Sequence, residues 1–360
     1  ARNPTAINRP IPASINRDGG VKMHRILVIA PNWIGDAVMS QPLLAAIKAS
    51  YPNAAIDVLA TPWVAPVYRA CSEVAELIEA ELRHGQLQWS LRRTLAAQIK
   101  QRDYAGCYVL PNSFKSAIIP WLANIPVRIG YQGELRRFLL TETRANSPKT
   151  RRIPMVEHYA NLCAPSNTSD ATTRLPYFSP TASALELART RLQAAGIQTD
   201  AFVVLCPGAE YGPSKRWPAA HFAGLAQSIL KAQPTTSVVL LGSPSDRPIG
   251  DAIVSSPASE ARIFNWCGET SLDEAIALIS MCSNLVSNDS GLMHIGAALQ
   301  IPQVAIFGSS DPNHTPPNSV KATVISLHLP CSPCHQRECP LGHLNCLNQI
   351  SPERVFAALQ

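Results

Sequence analysis

The residues best placed to do chemistry in this chain each follow an apolar, branched run at the point where a helix pattern begins. In LVIAPNWIGDAVMSQPL the turn after the first such run carries a lone Gly35 and then Asp36. A carboxylate beside a helix N-terminus is held in its charged form, so by default it is a cap. At the mouth of a ligand cleft it can instead take a proton from an attacking hydroxyl. In CPGAEYGPSKRWP, Gly208 and Gly212 flank a loop that presents Lys215 before Pro218 opens a helix. A lysine there suits a phosphate, and a surface lysine is the plain alternative. SNDSGLMHIGAAL places Asp289 at a turn, Ser290 as N-cap, Gly291 behind it and His294 about one turn into the helix. Such a helix start offers unpaired N–H groups and a positive dipole end to a diphosphate. The plain alternative is a capping aspartate and a core histidine. LGSPSDRPIG adds Asp246, a carboxylate suited to ribose hydroxyls or to a turn cap.

Neither a Gly-x-Gly-x-x-Gly run nor a P-loop occurs in the chain, so dinucleotide and nucleoside-triphosphate readings lose their main support. No Asp-x-Asp pair is present to act as a metal clamp. What remains is a division of labour. The second half holds an activated donor through its diphosphate, and the first supplies base and acceptor. That division suits sugar transfer from a nucleotide sugar.

The elements that must position these residues alternate twice over. RILVIA, AAIDVLA and AGCYVLP read as buried strands separated by helical patterns such as DAVMSQPLLAAIKAS and QWSLRRTLAAQIKQ. From about residue 143 to 180 the pattern dissolves into a linker-like stretch with one short helical piece, MVEHYANLC. The alternation then restarts with AFVVLCPG, TSVVLLGSP, NLVSND and PQVAIFG as strands. Ser271 with Glu274 forms a capping-box signature at one helix start. The expected fold class is α/β: two Rossmann-like, doubly wound parallel-sheet domains facing across a cleft, with ligands at the carboxyl ends of the strands. Expected boundaries are a disordered tail at 1–22, a first domain with linker at 23–175, a second at 176–350 and a terminal helix at 351–360. At 360 residues, 46% hydrophobic and 16% charged, the chain suits two soluble domains. No apolar run approaches the roughly 20 residues needed to span a bilayer.

Charge is uneven. Residues 23–160 hold 16 Lys/Arg against 10 Asp/Glu, whereas residues 161–360 hold 11 against 14. A basic first half points to an anionic partner there, with an ordinary solvated surface as the alternative.

Taken together, LVIAPNWIGDAVMSQPL, YVLPNSFKSA, CPGAEYGPSKRWP, SNDSGLMHIGAAL and CSPCHQRECPLGH resemble the ADP-heptose:lipopolysaccharide heptosyltransferases of glycosyltransferase family nine. The likeness spans Arg25 to about Val355 and falls nearest the branch adding the second inner-core heptose. The resemblance implies a GT-B fold and inverting, metal-independent transfer of L-glycero-D-manno-heptose from ADP-heptose to a heptosyl-Kdo-lipid A acceptor. It implies Asp36 as catalytic base; Lys215, Asp246, Asp289, Ser290, Gly291 and His294 on the donor; and Asn112, Ser113, Lys115 and Arg128 on the acceptor. Arg136 and Arg137 extend the acceptor side toward acidic sugars or phosphates. It implies a cytoplasmic enzyme, peripheral to the inner face of the inner membrane, with no required cofactor. A nucleotide-sugar epimerase of the same fold, or heptosyltransferase action at the first heptose, is the alternative. A nucleic-acid binder lacks the clustered basic and aromatic residues it needs.

Ten cysteines occur without an apolar export signal, so reduced thiols are expected. Cys331, Cys334, Cys339 and Cys346, with His335 and His343 among them, read either as a structural zinc or iron site or as free buried thiols.

Overall fold

The computed structural model describes residues 25–83, 85–148, 152–163, 175–255 and 261–359. The expected tail at 1–22 and parts of the expected linker, 149–151 and 164–174, lie outside the described residues. The chain divides into two compact units, Ala1–Arg174 and Leu175–Gln360.

The first unit is built from β1 (Arg25–Ile29), α1 (Ile34–Met39), α2 (Gln41–Ser50), β2 (Ala55–Ala60), α3 (Ala65–Arg69) and β3 (Val74–Glu79). It continues through α4 (Trp89–Lys100), β4 (Tyr104–Val109), α5 (Ile118–Leu122), β5 (Val127–Tyr131), β6 (Glu142–Arg144) and α6 (Met155–Ala160). Its six strands run parallel in the order β3-β2-β1-β4-β5-β6. Ile29 pairs with both Leu59 and Val109, so β1, β2 and β4 end level and their loops emerge along one edge. Central strands are buried on both faces, which is why they read as continuous apolar runs. The strand β3, which the apolar-run criterion passes over, is an edge strand that is partly or fully exposed along its length.

One expected helix is two. DAVMSQPLLAAIKAS breaks at Ser40, because Pro42 has no N–H to continue the ladder and its ring crowds the preceding turn. The piece MVEHYANLC is not idle linker: it forms α6, which packs on α1 and α2.

The second unit repeats the plan with α7 (Ala182–Ala194), β7 (Phe202–Cys206), α8 (Ala219–Ala232), β8 (Ser237–Leu240), α9 (Arg247–Val254) and β9 (Ile263–Asn265). It ends in α10 (Leu272–Met281), β10 (Asn284–Asn288), α11 (Gly291–Ala298), β11 (Gln303–Ile306), β12 (Ala322–Ile325), α12 (Asn345–Asn348) and α13 (Pro352–Ala357). The strands are again parallel, ordered β12-β11-β10-β7-β8-β9, so β10, β7 and β8 are neighbours at the centre. Trp217 and Phe222 anchor one face of this core, ring against ring at 4.8 Å. Half of the Ser271 capping box forms. The serine oxygen accepts from the Glu274 N–H at 3.2 Å, but the Glu274 carboxylate turns to Arg191 at 2.5 Å.

Candidate active site

In the first unit, the carboxyl edge of the sheet gathers Asp36 from α1 and Asn112, Ser113 and Lys115 from the loop after β4. These are adjacent strands, so the fold brings the four to one edge. Asp36 sits partly exposed in the first turn of α1. Its Oδ1 accepts a hydrogen bond from the Tyr159 hydroxyl of α6 at 2.9 Å. Tyr159 is buried, and burial, then the neighbouring carboxylate, drives its pKa well above the ordinary phenol range. It therefore stays a proton donor to Asp36 throughout the working pH range. The α6 segment is fixed by Tyr131, which stacks on His158 at 3.8 Å and donates to the His158 carbonyl at 2.5 Å. Tyr159 has no signal in the sequence, because the pairing joins residues 123 positions apart.

Two arginines expected on the acceptor side bond within the fold. Half-buried Arg128 donates Nε to the Leu139 carbonyl at 2.6 Å and Nη1 to the Ile125 carbonyl. Arg136 is fully buried; it donates to the carbonyls of Tyr131 and Pro111, to Asn112 Oδ1 at 2.9 Å and to Ser116 Oγ. Burial pulls its pKa down to about 10, opposed by nearby Glu134. Arg136 thus shapes the Asn112 loop from beneath and is not displayed to an acceptor. Arg137 is exposed.

In the second unit, Lys215, Asp289 and Asp246 follow three neighbouring strands, β7, β10 and β8. The loop after β7 ends in a 3-10 turn, Pro213–Lys215, which delivers the lysine. Its Nζ lies 2.5 Å from Asp289 Oδ2 and 5.1 Å above the Tyr211 ring. The Ser310 hydroxyl donates to the same Asp289 oxygen, a partner the sequence did not suggest. Asn288 fixes the two segments together, accepting from the Trp217 N–H at 3.0 Å and donating to the Pro207 carbonyl at 2.8 Å. Ser290 occupies the N-cap position of α11, but its hydroxyl pairs with Ser287 at 3.1 Å and does not cap. A cation therefore stands at the amino end of α11, fixed by a carboxylate that is itself nearly buried.

His294 lies within this helix, buried. Desolvation pushes its pKa down to about 4; Asp289 opposes this and Lys215 reinforces it. The imidazole is neutral at pH 7. With the folded value below the unfolded value of about 6.5, the unfolded chain binds the extra proton as pH falls. Stability is then fully present above about pH 6.5 and is lost progressively toward pH 4. His294→Gln is expected to flatten this slope in melting temperature between pH 6.5 and 4; an unchanged slope would show that the histidine does not titrate this way.

Asp246 accepts from the Ser243 N–H at 2.9 Å and from the Ser243 hydroxyl at 2.7 Å, so Oδ2 closes a capping box. Its Oδ1 is buried without a hydrogen bond, with Arg216 Nη2 4.0 Å away. A Cβ on Gly208 would stand 2.2 Å from the Asp246 carboxyl carbon, so the loop carrying Lys215 can cross this carboxylate only as glycine.

Cys331, Cys334, Cys339 and Cys346 line one small cavity together with His343, Ser214 and Ser309. Among the described residues no three His, Cys, Asp or Glu side chains are placed to hold a metal ion, so the expectation of a zinc or iron site finds no support. The ten cysteines are free thiols. Backbone N–H groups, that of Leu344 foremost, hold the Cys339 thiol below its ordinary range, while burial raises Cys346. The segment braces the lysine loop through its main chain. The Arg337 carbonyl accepts from the Ser214 N–H at 3.2 Å, the Gln336 carbonyl from the Ser214 hydroxyl at 2.5 Å, and the His335 carbonyl from the Tyr211 hydroxyl at 2.7 Å.

Comparison with known proteins sets this geometry in context. Residues 92–345 match the family described as glycosyltransferase family 9 (heptosyltransferase). The chain is 40% identical over 342 residues to lipopolysaccharide heptosyltransferase 2 of Salmonella typhimurium, covering 93% of this chain and 97% of that protein. It superposes on the solved structure of Escherichia coli ADP-heptose LPS heptosyltransferase II with a TM-score of 0.81 at 37% identity, covering 93% of this chain and 97% of the other. E. coli heptosyltransferase WaaC with ADP shares the fold, with a TM-score of 0.67 at 18% identity over 90% of this chain and 96% of that one. The two parallel six-stranded sheets with flanking helices are those of the GT-B glycosyltransferases, as the sequence led us to expect.

Proposed function

The chain belongs to glycosyltransferase family 9, the heptosyltransferases, and from that premise we propose that it adds the second heptose of the lipopolysaccharide inner core. The donor is ADP-L-glycero-D-manno-heptose and the acceptor is the first heptose of heptosyl-Kdo-lipid A. The observation that carries this reading is the Lys215 ammonium held by Asp289 at the amino end of α11.

The steps follow from charge. Asp36 takes the proton of the acceptor hydroxyl as its oxygen attacks the anomeric carbon. The bond from that carbon to the β-phosphate oxygen breaks on the opposite face, which inverts the configuration, and ADP leaves with the electron pair. Lys215 and the N–H groups opening α11 receive the growing negative charge, the role a metal fills in other transferases. Asp289 acts on the donor indirectly, by aiming Lys215; two anions would not bind each other. Neutral His294 lines the same helix turn without adding positive charge. Asp246 shapes the ribose end by filling the space beneath Gly208. Asn112, Ser113 and Lys115 meet the acceptor, with Asn112 oriented by Arg136.

ADP release measured with acceptors bearing zero, one and two heptoses, in chelator, tests this. Turnover is expected with the one-heptose acceptor alone and is expected to survive the chelator. Turnover without any acceptor points to an epimerase. Preference for the heptose-free acceptor points to first-heptose addition. A large loss restored by Mg2+ sinks the metal-free route. The enzyme works at the cytoplasmic leaflet of the inner membrane, a placement supported by the basic first half. Among the described residues no helix is long and apolar enough to cross a membrane.

A further inference from the structure

Five large apolar side chains stand exposed on three neighbouring loops at the carboxyl edge of the first sheet: Leu87, Trp89, Phe114, Leu135 and Phe138. Leu135 and Phe138 are 78% and 73% exposed. The loops form one platform because two buried arginines lace them together. Arg92 donates to the Leu87 carbonyl and to the Lys115 carbonyl, both at 2.7 Å. Arg136 ties its own segment to the Pro111 carbonyl and Asn112 Oδ1. Glu134 accepts from the Phe114 N–H at 2.8 Å, closing the third side.

The platform holds its apolar residues outward against local preference. Glu134 and Leu135 have φ of 37° and 58°, a left-handed conformation that side-chain-bearing residues avoid. A strained turn that exposes a leucine, anchored by buried cations, is expected where that leucine has a partner. The charges around it are mostly positive. Arg137 lies 5.3 Å over the Phe138 ring, Lys115 follows Phe114, and Arg83 and Arg93 are exposed on the flanking loop and helix. Of the acids nearby, Glu134 is engaged by the Phe114 N–H, and Glu81 is exposed on the loop of Arg83.

We propose that this rim is a docking surface for a lipid bilayer bearing anionic headgroups. Leu135 and Phe138 enter the interface and Arg137 and its neighbours pair with headgroup phosphates. A bilayer fits better than a protein partner, because apolar tips ringed by cations match an apolar layer beneath a phosphate layer. The rim also adjoins the loop of Asn112, Ser113 and Lys115, so an acceptor anchored in the same bilayer would reach Asp36 along it. The inference rests on the acceptor being a glycolipid, and the experiment separates the two.

Co-sedimentation with phosphatidylcholine vesicles, with and without phosphatidylglycerol, is the test. The wild-type protein is expected to bind the anionic vesicles, and Leu135→Ser/Phe138→Ser to bind about tenfold more weakly at an unchanged melting temperature. Arg137→Gln is expected to weaken binding severalfold, an effect that high salt reproduces. On a delipidated, water-soluble acceptor the Leu135/Phe138 double variant is expected to turn over normally. With acceptor embedded in anionic vesicles it is expected to slow about tenfold. Equal binding to both vesicle types, undiminished binding by the double variant, or a self-association that the double variant abolishes in place of vesicle binding would each overturn the proposal. Failure to turn over any acceptor would sink the catalytic reading and leave the vesicle result standing.

Discussion

Asp36→Asn is expected to bind ADP-heptose normally and to transfer heptose at least about 100-fold more slowly, the scale of a lost general base. The substitution is nearly isosteric. Asparagine keeps an Oδ1 that can accept from the Tyr159 hydroxyl, so the local arrangement at the start of α1 survives. What it lacks is a basic electron pair able to carry the proton of the attacking hydroxyl. Turnover should therefore fall while the Michaelis constants of donor and acceptor change little, the pattern of an interaction made only in the transition state. Unchanged turnover would remove Asp36 from this role. Tyr159→Phe tests the support. It is expected to slow transfer about tenfold alone and to add nothing in the Asp36→Asn background, because it acts through that carboxylate. Additive losses would make Tyr159 a packing residue only.

Lys215→Ala is expected to raise the donor Michaelis constant about tenfold and to cut turnover by about 100-fold, the cost of one lost charge-stabilising donor. It should also destabilise the protein. The Asp289 side chain is 4% exposed and loses its cation, which typically costs about 3 kcal/mol or more. Ser310 still donates to Asp289 but brings no charge. The two consequences can be pulled apart. Lys215→Met with Asp289→Asn removes both charges and is expected to recover most of the stability while turnover stays low. If the double variant regains turnover along with stability, the lysine is structural and the diphosphate assignment fails.

What the sequence revealed follows from the physics of each element. Central strands such as RILVI and FVVLC are buried on both sides, so their composition alone declares them. Edge strands such as β3, β9 and β12 are short or half exposed, and nothing in a single chain distinguishes them from loop. The site divided in the same way. Asp36, Lys215 and Asp289 stood out in the sequence because each sits at or beside a strand-to-helix turn, a position that local pattern marks. Their supports were not. Tyr159, Ser310 and Asn288 act across long sequence separations, and only folding brings them into range. Arg136 shows what local pattern leaves open. An arginine near a basic loop reads as a ligand contact, yet this guanidinium lies wholly inside the fold on backbone carbonyls, while half-buried Arg128 bonds two backbone carbonyls as well.

The brace on the lysine loop carries an implication for how this segment can vary. Ser214 and Tyr211 take hold of main-chain oxygens at positions 335, 336 and 337, and a Cβ on Gly212 would collide with the Arg337 carbonyl at 2.6 Å. Carbonyls are blind to the identity of the amino acid that bears them. Drift in side-chain type should therefore cost least at position 336, since Arg337 also lies 5.3 Å over the Tyr211 ring and His335 holds a φ of 54°, whereas inserting or deleting a single residue would slide all three oxygens out of register and unseat Lys215. The grip on the lysine loop depends on the segment's length first.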